Sequence, residues 1–124
     1  MQTDPGPIES MLALTQELGD VAWIVQRLGG TSFAPGPTDQ RLYIWIPNTS
    51  PAHDEIWGFA RDPEPLDSLE LPPPVQDTLL GEAARGAQHI LAAPVSPRLF
   101  ADDHYSGVAI YRFDQGVLLV VQTH

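Results

Sequence analysis

The chain contains no cysteine and no lysine. The first absence excludes a disulfide framework, thiolate catalysis and thiolate metal sites, and it fits a reducing compartment. The second removes the P-loop, whose lysine reaches the phosphates, so Gly29-Gly30-Thr31-Ser32 reads as a hairpin turn rather than a phosphate nest. Positive charge is scarce altogether. Six arginines face 16 acidic residues, for a net charge of −10. That balance repels phosphate backbones and anionic lipid, so neither nucleic acid nor a membrane surface is an expected partner. Met1–Pro7 lacks a basic region and an apolar run, and no stretch approaches the ~20 apolar residues that span a bilayer. A cytoplasmic location is the expectation. No HExxH helix and no GxSxG elbow is found.

What is present is an ordinary globular composition. The 124 residues suit one domain, and 43% of them are hydrophobic, enough for one core. Eleven of the thirteen prolines cluster at Pro5–Pro7, Pro35–Pro37, Pro63–Pro74 and Pro94–Pro97, where they punctuate the elements.

Ile8, Met11, Leu12, Thr15 and Leu18 follow a helical stripe, with Pro7 at its start and Gly19 at its end. The spacing predicts a helix over Ile8–Leu18. Val21–Leu28 is rich in β-formers and reads as a strand. Gly29–Gly30 should turn, Thr31–Phe33 should return as a short strand, and Ala34–Asp39 should loop. Leu42–Ile46 is a continuous apolar run too short for a helix, which predicts a central strand covered on both faces. Asn48–Pro51 is a turn cluster. Glu55–Arg61, with Ile56, Trp57 and Phe59, reads as a weaker strand, and Asp62–Pro74 should cross an edge of the domain in extended form. A second helix is predicted over Val75–Leu91, one side carrying Val75, Leu79, Ala83 and Ala87. Gly107–Phe113 and Val117–Gln122 complete the chain as a hairpin closed by Asp114-Gln115-Gly116. The order predicts an α+β domain with a mostly antiparallel five- or six-stranded sheet and two helices.

Candidate chemistry is sparse. His53-Asp54-Glu55 and Asp102-Asp103-His104 each set a histidine beside carboxylates. A metal needs ligands converging from several elements, so solvated acidic loops are the plain reading. Were the two loops to converge, His53, Asp54, His104 and Asp102 would be the ligands. Ser106 follows His104-Tyr105, but adjacent residues do not make a nucleophile–base pair. No catalytic residue and no cofactor is assigned. The aromatic strand residues should mostly be core. Trp57, on the weakest strand, is the one expected to be exposed. Trp57, Phe59, Trp45, Tyr105 and His104 are therefore the candidate ligand- or partner-binding residues.

Leu69-Glu70-Leu71-Pro72, the Gly-containing Leu79–Gln88, Ser106-Gly107-Val108-Ala109-Ile110 and Gln115-Gly116-Val117-Leu118-Leu119 together resemble the GAF family of small sensory domains. Ile8–Val25 fits the same pattern. The resemblance implies a layered GAF/profilin-like architecture and a regulatory module that binds a small molecule or signals within a larger protein. The second helix followed by Phe100–Val121 is also similar to the roadblock family, which implies a homodimeric scaffold regulating a small GTPase. The expectation is thus a non-catalytic regulatory or sensory module binding a small ligand, a protein partner or a second copy of itself. A GAF-like module predicts an apolar pocket between the sheet and the loops at Asp62–Pro74 and Ser96–Tyr105. An acidic inhibitor or immunity protein for a basic partner is the third reading. It predicts Asp54, Glu55, Asp62, Glu64, Asp67 and Glu70 on one convex face.

Overall fold

The structure is a computed structural model that describes residues 2–27, 40–67, 69, 71–81, 89–101 and 105–123. The expected turn at Gly29–Gly30, the return strand Thr31–Phe33, the loop Ala34–Asp39, and Asp102 and His104 lie outside the described residues.

The described residues form an α+β domain around one six-stranded antiparallel sheet. Its strands are β1 (Ala22–Arg27), β2 (Gln40–Pro47), β3 (Glu64–Leu66), β4 (Ile90–Ala93), β5 (Tyr105–Phe113) and β6 (Gly116–Thr123), in spatial order β1-β2-β6-β5-β4-β3. Leu42–Ile46 and Val117–Val121 are neighbours, with Ile44 opposite Leu119. The run Gly116–Val121 is buried throughout, as expected of a strand covered on both faces. β3 is the terminal strand beyond β4, which places the acidic, proline-rich segment at an edge as its composition suggested.

Four short helical segments flank the sheet among the described residues: α1 (Gly6–Met11), α2 (His53–Trp57), α3 (Val75–Leu80), a single π-type turn, and a 3-10 turn at Pro97–Leu99. Period-2 alternation sorts the strand residues between two layers. Leu42, Ile44, Ile46, Ile110, Val117, Leu119 and Val121 face one side, under Ile8, Met11, Ile56, Leu99 and Phe100. Tyr43, Leu118, Val120 and Phe113 face the other, under Val75, Leu79 and Leu80.

Three expected elements differ. The first helix ends at Met11 instead of Leu18. Leu12 turns extended and bridges Phe100, Ala13 N–H donates to Leu99 O (2.7 Å), and Ala101 N–H donates to Met11 O (2.9 Å). Backbone pairing with a distant segment replaces the next helical turn. Glu55–Arg61 is not a strand: His53–Trp57 is a helix, and it buries His53 and Ile56 at an i, i+3 spacing. Of the expected second helix, Val75–Leu80 form α3, and positions 82–88 lie outside the described residues. α3 stops at Gly81, which has φ +53° and donates its N–H back to Gln76 O at 3.0 Å, and Ile90–Leu91 belong to β4. The edge of β5 needs backbone partners, and Ile90–Ala93 supply them against Ile110–Arg112.

Candidate functional site

A cleft of about 360 Å³ opens at the end of the sheet where the β5–β6 turn, the exit of β2, the start of α2 and the entry to β4 meet. Asn48, His53, His89, Leu91, Arg112, Phe113 and Asp114 line it. The backbone here is well tied. Asn48 N–H donates to Gln115 O at 2.9 Å, and its side-chain amide reaches Asp114 O at 3.4 Å. Gly116 ends the turn because β2 lies too close for any side chain. A Cβ there would stand 2.5 Å from Ile46 O and 2.9 Å from Pro47 Cα.

His53 is set by the start of α2. Its N–H donates to Ser50 O (3.1 Å), Ser50 Oγ donates to Leu18 O, and Ala52 N–H donates to Ser50 Oγ at 3.3 Å. Asp54 and Glu55 in the first turn suit the positive end of the helix dipole. The residue His53 is only 5% exposed. Its Nδ1 lies 2.9 Å from Oδ1 of Asp54, whose side chain is almost wholly in solvent. A carboxylate accepts only, so Nδ1–H is the donor. Nε2 is shielded from solvent and has no hydrogen-bond partner among the described residues. Leaving such a nitrogen unsatisfied costs about 1–3 kcal/mol.

Arg112 stands across the sheet from Val117 and Leu91, and its guanidinium lies 5.4 Å from the ring centroid of Trp57. A cation–π contact of this kind contributes about 0.5–1 kcal/mol at an exposed site. Trp57 follows His53 by one helical turn, so the same short helix supplies the histidine and the platform under the arginine. Among the described residues, the only ion pair is His53–Asp54, so Arg112 has no carboxylate within salt-bridge distance. Phe113, next along β5, meets Trp45 edge-on, with ring centroids 5.7 Å apart and planes at 71°.

α2 is also braced from outside the cleft. Glu55 accepts Thr15 N–H (2.9 Å), Thr15 Oγ–H (2.6 Å) and Gln16 N–H (3.0 Å). The Thr15 hydroxyl first, and the two backbone N–H groups with it, hold the Glu55 carboxyl below its ordinary pKa, against a smaller opposing effect of desolvation.

The sequence-derived candidates are only partly brought together. His53 lines the cleft, and Asp54 orients it. Trp57 touches the site through Arg112, but from a helix rather than the expected strand, and it is half-buried. Trp45 touches it through Phe113. Phe59 packs against the α1/α2-side core, and its carbonyl accepts from Ser96 N–H. Tyr105 pairs with Thr123 at the opposite end of β5 from the cleft. No group of three or more His, Asp or Glu converges among the described residues, so His53 and Asp54 gain no further metal ligand there. Sequence reasoning missed Arg112, Asn48 and His89. The usable signal was Arg112 itself, one cation within the otherwise uncharged strand run Tyr105–Phe113. No protein-family model, curated protein or solved structure matches this chain, so the site is read from its own geometry.

Proposed function

We propose that the domain is a non-catalytic regulatory module that takes a small ligand in the His53–Arg112 cleft, the ligand carrying an acid group beside a hydrogen-bond donor. Hydroxy acids and amino acids have this chemistry. The observation that carries the reading is the shielded, unpartnered Nε2 of His53. With Nδ1–H committed to Asp54, Nε2 is the ring nitrogen left to accept a hydrogen bond in the uncharged tautomer. Arg112, 5.4 Å from the Trp57 ring centroid and without a carboxylate partner among the described residues, offers a planar cation to the acid. Asn48 and Asp114 add further polar groups at the rim, while Leu91 and Phe113 supply an apolar wall. Activated nucleophiles are not part of this set. Ser50, the hydroxyl nearest in sequence to His53, spends its proton on Leu18 O and accepts from Ala52 N–H.

Native mass spectrometry of the protein as purified, followed by thermal-shift titration with hydroxy and amino acids, tests the reading. At least one such acid should raise the melting temperature. The gain should fall about tenfold in apparent affinity in Arg112→Gln and again in His53→Phe, as expected for losing one charge-assisted contact. A panel without any stabilising acid, or stabilisation equal in both variants and the parent, would sink it.

A further inference from the structure

The opposite face of the sheet carries a concavity of about 420 Å³. Arg41, Tyr43, Tyr111 and Val120 contribute from the strands, and Leu71 and Pro72 from the segment before α3. Alternation along β2 explains the arginine. Leu42, Ile44 and Ile46 enter the core under α1 and α2, so Arg41 shares the other face with Tyr43 and Trp45. The register sets Gln26 and Gln122 on either side of Arg41. A bulge between Gly107 and Ala109 leaves Val108 unpaired and exposed at the rim.

Among the described residues, the shielded Nε of Arg41 has no acceptor, and no carboxylate lies within salt-bridge distance of this side chain. Its neighbours cannot supply the missing charge. Tyr43 donates its hydroxyl to Gln26 Oε1 at 3.2 Å. Burial raises the pKa of the Tyr111 phenol above its ordinary value, with Tyr43 adding to the rise and the Arg41 charge opposing it, so the phenol is neutral at physiological pH. Apart from Gln26, whose Oε1 accepts from Tyr43, the remaining lining is aliphatic. A half-buried arginine with a shielded Nε, edged by two phenols, the Gln26 amide, a proline and aliphatic groups, is matched by a flat ring bearing an anion.

We propose that this concavity is a second binding site, separate from the His53 cleft, for a small aromatic carboxylate whose acid group pairs with Arg41 and whose ring lies against Tyr111, Pro72 and Val120. The probe is benzoate, compared with the neutral isostere benzamide, read from the backbone amide NMR signals of the full chain. Benzoate should shift the signals of Arg41, Tyr43 and Tyr111 saturably, with an affinity about tenfold or more above that of benzamide. Arg41→Gln should abolish that preference. Val108→Trp, at an exposed position that leaves Arg41 in place, should block the site sterically. Arg112→Gln should leave benzoate binding unchanged, which separates this site from the His53 cleft. Equal binding of benzoate and benzamide would overturn the proposal. So would benzoate binding that survives both Arg41→Gln and Val108→Trp, or no saturable shift below about 20 mM, a weak limit for a ligand of this size.

Discussion

The two faces of the sheet are built differently, and the difference explains where the candidate sites fall. The face under α1 and α2 is aliphatic and closed. Ile8, Leu18, Ile44, Ile46, Ile56, Leu99, Ile110 and Leu119 have no exposed surface at all. The opposite face is richer in aromatics, with Tyr43, Trp45, Tyr111 and Phe113, and its helical cover among the described residues is the single turn α3. Among the described residues, each face is dry where a helix lies on it and admits an arginine beyond that cover. Arg112 marks that limit on the first face and Arg41 on the second. A guanidinium tolerates such a border because its stem packs while its head stays available to a partner.

Adjacent residues of β6 give the sharpest probe of this contrast. Leu119 points into the closed face and Leu118 into the other, and both are fully buried. Truncating Leu119 to alanine should cost about 4–5 kcal/mol and truncating Leu118 about 2–3 kcal/mol, because a single covering turn can settle into the space left behind. Denaturant unfolding of the two variants checks it, and equal losses would erase the distinction between the faces. Next in size is Gly116→Ala. Its new methyl would strike Ile46 O and Pro47, on the strand pair shared by both faces, and should cost about 1–3 kcal/mol in the same assay. Smallest is the pH response of the closed face. A carboxyl held below its ordinary value of 4.5 adds stability that is present above that pH and is lost as pH falls through the depressed value. Glu55→Gln should therefore flatten part of the acid limb of the stability curve below about pH 4.5 while changing little at neutral pH. An unchanged acid limb would show that the brace from Glu55 to Thr15 and Gln16 contributes nothing to holding α2.

Strands with one reading were legible and segments with two were not. Val117–Val121 and Leu42–Ile46 are short, continuous and β-rich, so they had one compact use, side by side in the middle of the sheet. Val75–Leu91 carried a helical period as well as the β-formers Ile90 and Leu91, and its C-terminal end went to the open edge of β5. His53–Trp57 was misread because Ile56 and Trp57 suggested a strand, although Ser50, Pro51, Asp54 and Glu55 were all helix-start signals. Of the cleft, His53 and Asp54 were visible as neighbours in sequence. Arg112 was not, because nothing local to β5 says that Trp57 will lie under it.

The amino-acid order alone determined the α+β class, the two buried strands and the closing hairpin, since these depend on local periodicity and turn chemistry. The tertiary structure alone decided which residues face a cleft. That choice depends on where the cover over each face of the sheet ends, and on which buried nitrogens, His53 Nε2 and Arg41 Nε, are left there without a partner.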